Sequence, residues 1–327
     1  MIRRPPRSTQ SRSSAASDVY KRQAYFNVES KLDGIIMKKV KYNVLIAGYS
    51  GFIGSSLVKR LEDNELFNLT LISKSNGVNL EDGLELGNIH CDVVINLSGV
   101  TNIDESWSNP HKYFKTNYLS TLSLLEYSRI SGAKFIQISS YTYGVPSYQP
   151  IDEKHPIKGY NPYASSKIIS DQLCEDYSRL YNIPITILKL FNIYGEGQSD
   201  RFIIKDLIKS ALNGDELQVR DLQARRDYLW IDDFVDSIIK VVAGQESGFS
   251  VYNIGSGVSY SAKDVIDFIS LFVNDVRYSP DVSLSSKLQI QDCVCDNRLF
   301  SKKFNWSPKV SLKDGIQKII YKETHTV

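Results

Sequence analysis

Tyr163 and Lys167 are the residues whose types and spacing first suggest chemistry. They lie in Asn161-Pro-Tyr-Ala-Ser-Ser-Lys167, and of the chain's 20 tyrosines only Tyr163 has a lysine four positions on. At that spacing two side chains share one face of a helix. A free tyrosine, with a pKa of about 10, is a poor base at neutral pH. An adjacent ammonium favours the phenolate and allows proton exchange with a substrate hydroxyl. Ser139, 24 residues earlier, follows the β-rich run Lys134-Phe-Ile-Gln-Ile138 and precedes Ser140. Its hydroxyl is the expected holder of the substrate oxygen. Taken alone, a Tyr–Lys pair is common surface decoration, so the reading depends on the elements that bring these groups together.

Those elements begin at Val44-Leu-Ile-Ala47, an apolar run followed by Gly48-Tyr-Ser-Gly51-Phe-Ile-Gly54, with an amphipathic segment after it. A buried strand, a tight turn and a helix N-terminus bind phosphate through free N–H groups and the helix dipole. Gly48 suits the turn, Gly51 the close approach of a dinucleotide pyrophosphate, and Gly54 the packing of helix on strand. Leu69-Thr-Leu-Ile72 reads as a second strand. An acid about 20 positions beyond the turn would grip the ribose 2′-hydroxyl of NAD; Ser73 and Lys74 stand there instead and suit the 2′-phosphate of NADP. Asp92-Val-Val-Ile-Asn-Leu97 is a third strand, closing on Ser98-Gly99, where a small residue lets a cofactor lie against backbone. A helical stretch from Pro110 to Ser131 holds Asn117. Strands alternating with helices imply a doubly wound parallel α/β sheet with ligands at its carboxyl ends.

With these motifs in place the sequence resembles the extended short-chain dehydrogenase/reductase family, in its nucleotide-sugar epimerase/dehydratase branch, from about Lys41 to Gly315. Gly48-Tyr-Ser50-Gly51-Phe52-Ile53-Gly54 is similar to its cofactor turn, and Tyr163-x-x-x-Lys167 to its catalytic pair. Ser139-Ser-Tyr-Thr-Tyr-Gly144 is similar to the strand end that bears a catalytic hydroxyl. Counting back from Tyr143-Gly144 puts that role on Ser139, with Ser140 second and otherwise a substrate contact. Asn117 matches an asparagine near the nicotinamide. Leu80 stands with Asn79 where many members carry Asp and an aliphatic residue near the adenine. Asn192, in Leu190-Phe-Asn-Ile-Tyr-Gly195, matches a substrate contact. Arg226, in Arg226-Asp-Tyr-Leu-Trp-Ile-Asp-Asp233, matches a diphosphate-binding arginine; an ion pair with Asp232 or Asp233 is the other reading. Tyr252-Asn-Ile-Gly-Ser-Gly257 and Trp306-Ser-Pro308 complete the pattern. A second diphosphate-binding cation falls to Arg277 or Lys287. The acidic pair of the dehydratases is replaced by Ser140 and Tyr141, which argues against 4,6-dehydration.

The resemblance implies a Rossmann-type domain over residues 37–190, completed by about 227–255, and a smaller α/β lobe over 191–327. It implies NAD or NADP as cofactor, a nucleotide-sugar substrate and a homodimer. Epimerisation at sugar C4 through a transient 4-keto sugar is the expected reaction. An NADPH-dependent 4-keto-6-deoxy-sugar reductase is the alternative, and a non-catalytic dinucleotide-binding regulator the alternative of another class.

The composition, 42% hydrophobic and 23% charged over 327 residues, is that of an ordinary globular chain. No apolar run approaches the roughly 20 residues of a membrane span. Four cysteines without ligand spacing, and four scattered histidines, point away from zinc and towards a reducing cytoplasm. Residues 1–23 are rich in Arg and Ser, and residues 1–36 are expected to be a non-native or disordered leader before a start near Met37. Residues 1–23 hold six basic residues against one acid, or +5. The whole chain is +2, which leaves −3 for the rest, so the basic charge is no argument for nucleic-acid binding.

Overall fold

Val44, Leu45, Ile46 and Ala47 are all buried because strand β1 (Tyr42–Ala47) has a strand on each side and a helical layer over each face. In this computed structural model the described residues are 41–83, 89–219, 221–280 and 290–325. The expected leader and Lys287 lie outside them. Six strands form one parallel sheet in the order β2 (Phe67–Ile72), β1, β3 (Val93–Asn96), β4 (Lys134–Ser140), β5 (Ile185–Leu190) and β9 (Phe249–Ile254). Alternate side chains serve opposite faces. Val44 and Ile46 pack with Leu57 and Leu61 of helix α1 (Phe52–Leu61). Leu45 and Ala47 pack with Leu124 and Leu125 of α3 (Pro110–Ser131) and Cys174 of α4 (Pro162–Tyr181). The short α2 (Ile103–Ser108) precedes α3.

The chain leaves β1 for β2 on one side and then returns to β3 on the other. The loops after β1 and β3 therefore part at the carboxyl edge, where doubly wound sheets bind ligands. Two expected strands differ slightly at their ends. The second begins at Phe67, whose ring stacks on Tyr42. The third spans Val93–Asn96, and Asp92 just before it bonds to Asn43 through both its backbone N–H and its carboxylate, each at 2.8 Å.

The rest of the chain builds smaller sheets beside this edge. In one, β6 (Asn192–Tyr194) runs parallel to β8 (Arg225–Trp230), and β10 (Ser259–Ser261) antiparallel to it. In the other, β7 (Leu217–Val219) pairs with β11 (Tyr278–Pro280). Helices α5 (Ile203–Asn213), α6 (Ile231–Ala243), α7 (Ala262–Ser270), α8 (Arg298–Phe304) and α9 (Leu312–His325) complete the order. Residues 290–296 form a strap. Gln291 and Cys293 carbonyls accept from Arg225 and Asp227 of β8, and Val294 and Asp296 bond to Ile151 in the segment after β4. All four cysteines are buried and unpaired. Among the described residues no helix is long and apolar enough to cross a membrane.

The turn after β1 is shaped by contacts that leave no room for a side chain. Gly48 has φ +83°, and a Cβ there would meet the Leu97 and Ser98 backbone at 2.8–2.9 Å. A Cβ on Gly54 would collide with the Gly48 carbonyl and the Tyr49 backbone. Gly54→Ala should therefore destabilise the protein by about 2–3 kcal/mol through overpacking. Gly51, at φ −76° with nothing nearer than 3.4 Å, should tolerate alanine within about 1 kcal/mol. Denaturant unfolding of both variants checks the contrast.

Candidate functional site

Helix α4 starts where it does because Asn161 caps it. Its Oδ1 accepts the Ala164 N–H at 2.7 Å, and Pro162 supplies a first residue already set at helical φ. Tyr163 thus falls in the first turn and Lys167 one turn on. Lys167 is 6% exposed, and its Nζ donates to the Ile138 carbonyl at 2.8 Å. Burial lowers the Lys167 pKa against the opposing field of Asp171. Tyr163 packs edge-on to Tyr113, with ring centres 6.4 Å apart. Burial pushes its phenol up to about 12, while the Ser140 side chain pulls it down.

The two serines at the end of β4 divide differently from the count back from Tyr143. Ser139 shares the file of Phe135 and Gln137, which faces α3 and α4, and its Oγ donates to Asp171 Oδ2 at 2.8 Å. It is 4% exposed and committed to the interior. Ser140, on the opposite file of β4, is the serine whose side chain lowers the Tyr163 phenol. Counting along the chain gave the strand end but not which of two neighbours turns towards the tyrosine.

A cavity of about 240 Å³ opens above the carboxyl ends of β1, β2 and β3, lined among others by Ser50, Gly51, Lys74, Leu80, Ser98 and Thr116. Ser73, Leu97 and Gly99 also border it. α1 begins at its wall, and no side chain caps the helix at Gly51, ahead of Phe52 and Ile53. An uncapped helix N-terminus beside a glycine with space over its Cα fits a dinucleotide pyrophosphate. Buried Leu80 supplies an apolar wall suited to the adenine. Lys74 borders the cavity, but its Nζ is 2.7 Å from Glu81 Oε1. Glu81 also takes Lys115 at 3.3 Å and the Thr116 hydroxyl at 2.9 Å. These partners, Lys74 foremost, hold its carboxyl down at about 2. The expected cation is present but shared with an acid that sequence spacing did not single out, because the pairing joins two loops. Ser73 is turned to Ser75, its Oγ 2.6 Å from that hydroxyl.

Asn117 is 2% exposed. Its Oδ1 accepts the Val100 N–H at 2.9 Å and its Nδ2 donates to Ser166 Oγ at 2.8 Å. It therefore fastens the loop after β3 to α4. Asn192 donates to the Asp227 carbonyl at 3.1 Å. Arg226 pairs with neither expected acid. Asp232 accepts from the Trp230 indole, and Asp233 from the backbone of Lys309 and Val310. Arg226 Nη1 donates to the carbonyls of Arg225 and Ile290, both at 2.7 Å, and its charge acts on Tyr141, Tyr160 and Tyr228. Arg277 donates to the Gly214 carbonyl at 3.1 Å and is exposed beside β7. The sequence reading also passed over Asp171 and Lys189, although a lysine inside the buried strand Ile-Thr-Ile-Leu-Lys-Leu is a visible anomaly.

Comparison with known proteins agrees with this geometry. The profile of the NAD dependent epimerase/dehydratase family matches residues 44–255. A UDP-glucose 4-epimerase of Yersinia enterocolitica is 28% identical over 69% of this chain and 74% of its own length. A GDP-6-deoxy-D-mannose reductase of Pseudomonas aeruginosa is 25% identical over 85% and 95%. The fold matches that of a Bacillus cereus UDP-glucuronic acid 4-epimerase solved with UDP-glucuronic acid and NAD, with TM-score 0.77 and 23% identity over 86% of this chain and 99% of that one. With the glycine turn, the Tyr–Lys pair and the open helix N-terminus on one sheet edge, the chain belongs to the NAD dependent epimerase/dehydratase family and is an NAD(P)-dependent enzyme of the extended short-chain dehydrogenase/reductase type.

Proposed function

We propose that the protein is a nucleotide-sugar epimerase acting at sugar C4 through a 4-keto sugar. The observation that carries this reading is that the strand end beside Tyr163 has Ser140 and Tyr141 where dehydration would need carboxylates. Beside Tyr163 stand the Ser140 hydroxyl and the phenols of Tyr160 and Tyr113, while Asp171 is buried behind Ser139. The strand end carries Ser140 and Tyr141 and offers no carboxylate to expel a hydroxyl. One proton-exchanging residue suits oxidation and reduction at a single carbon, not dehydration.

In this reading Tyr163 takes the proton of the sugar 4-hydroxyl and later returns it. Ser140 hydrogen-bonds the same oxygen and orients it. Lys167, fixed on the Ile138 carbonyl, holds positive charge beneath the phenol and favours its anion. A bound nicotinamide supplies the hydride exchange that no side chain can perform. Arg226, with its Nη1 anchored on two carbonyls, faces the sugar diphosphate, and Asn192 borders the sugar. The lobe built from residues 191–327 is the substrate side, and the Rossmann domain the cofactor side. Exposed Ile130, Ile169, Leu180 and Tyr181 on α3 and α4 support a homodimer through these helices, and unpaired thiols suit the cytoplasm.

A second reading, a 4-keto-sugar reductase consuming NADPH, is favoured by one observation: Lys74 and Lys115 put two cations against one carboxylate at the cavity rim.

Proton NMR of UDP-, dTDP- and GDP-hexoses incubated with the protein and NAD should reveal the 4-epimer of one of them. NADPH consumption with a nucleotide-linked 4-keto-6-deoxy sugar, and no epimer, would establish the reductase instead. Neither signal would leave a binding protein. Tyr163→Phe should cut turnover by roughly 10²–10⁴-fold, the usual worth of a positioned acid–base group, with NAD affinity retained. Ser140→Ala should lower kcat by roughly 10²-fold, as for a lost oxyanion donor. Ser139→Ala should leave kcat within about threefold while costing about 1–3 kcal/mol of stability, because Asp171 loses a donor. Gly51→Ala should weaken NAD binding by roughly tenfold or more, read by calorimetry, since a methyl there takes the space of the pyrophosphate.

A further inference from the structure

Lys189 sits in a strand whose six residues are all buried, a setting in which an isolated ammonium is very costly. Its charge is met by Asp171 Oδ2 at 2.9 Å, with Thr142 Oγ1 at 3.2 Å and the ring centre of Tyr143 at 5.3 Å. Asp171 lies one helical turn beyond Lys167 and also accepts from Ser139. Its Oδ1 is buried and has no hydrogen-bond partner among the described residues. One buried carboxylate therefore pairs with buried Lys189 and acts through its charge on buried Lys167 and on Tyr163. A pair serving only to hold helix on strand could be replaced by apolar side chains at little cost.

We propose that Asp171 and Lys189 are positioning residues of the reaction centre, whose ion pair balances the charge of Lys167 and so sets how readily Tyr163 releases and regains its proton. The proposal rests on the reading of Tyr163 as the proton-exchanging group. The groups facing Tyr163 are Ser140 at the end of β4, Tyr160 just before α4, Tyr113 of α3 and Asp171 of α4. Those facing Lys167 are Asp171 and Cys174 of α4 and Lys189 of β5. The signs follow from the charges. Asp171 disfavours the phenolate and favours the Lys167 ammonium, whereas Lys189 cancels part of each effect.

The test reads Tyr163 directly. In NAD-bound protein, the phenolate absorbance of each variant minus that of its Tyr163→Phe counterpart isolates this one tyrosine. Asp171→Asn should lower the titration midpoint and Lys189→Met should raise it, each by about one pH unit, as a nearby charge does. The neutral double variant Asp171→Asn/Lys189→Gln should return it near the wild-type value. If Lys189→Met fails to fold, the other two variants decide. Midpoints unmoved in all folded variants, with thermal stability lowered, would overturn the proposal and leave a structural ion pair. Because the titration needs no sugar, moving midpoints without sugar turnover would sink the epimerase reading and keep this one. Turnover with fixed midpoints would do the reverse.

Discussion

One hydrogen bond, from the Lys167 ammonium to the Ile138 carbonyl, sets the geometry on which the site depends. In parallel sheets successive residues bond alternately to the two neighbouring strands. Phe135 and Tyr141 bond towards β5 and Lys134 towards β3, so Ile138 faces the β3 side. There β3 has already stopped, its last residue Asn96 standing opposite Gln137. The open carbonyl is satisfied by a side chain from α4 instead of by a strand. Helix and strand end are thereby locked in register, and Tyr163, one turn before the lysine, is carried to Ser140. The mismatch in strand length is what makes room for the helix bearing Tyr163 and Lys167 to bond to the sheet.

The same edge divides the sheet into a dry body and a polar rim. Below it, alternate residues of β1, β3, β4 and β5 fill two apolar layers. At the carboxyl ends, the face towards α3 and α4 turns polar: Asn96, Gln137, Ser139 and Lys189, with Thr121 and Asp171 from the helices. Asn96 donates to Gln137 and Thr121, and Thr121 to the Asn117 carbonyl. Such a layer is costly unless its members bond to one another. It places hydrogen-bonded and charged groups behind the reactive ones and keeps water out.

What could be read from the sequence was local. Three glycines within seven residues, and a lysine four after a tyrosine, report short-range geometry, and the fold follows from alternating strands and helices. What could not be read was pairing between distant segments. Asp171 and Lys189 are 18 residues apart on different elements, and Glu81, in the turn after β2, meets Lys115 of helix α3. The choice between Ser139 and Ser140 is decided by the period of two along β4. The motif count led to Ser139, whose hydroxyl the structure bonds to Asp171. Arg226 was singled out by its motif, yet its anchoring on Ile290 depends on a strap far along the chain.

That strap has a consequence for where the chain can vary. Residues 290–296 bond through the backbone to β8 and to Ile151, and they touch the tyrosine-lined wall near Arg226 without contributing to the α4–β4 lock. Backbone bonds are indifferent to side-chain identity. Gln291, Asp292 and Val294 can therefore vary more freely than Ile290, Cys293 and Cys295, whose side chains are buried in the cluster around Tyr143 and Phe191. The wall near Arg226 and the α4–β4 lock thus stand on separate pieces of chain, so a substitution in one leaves the hydrogen bonds of the other in place.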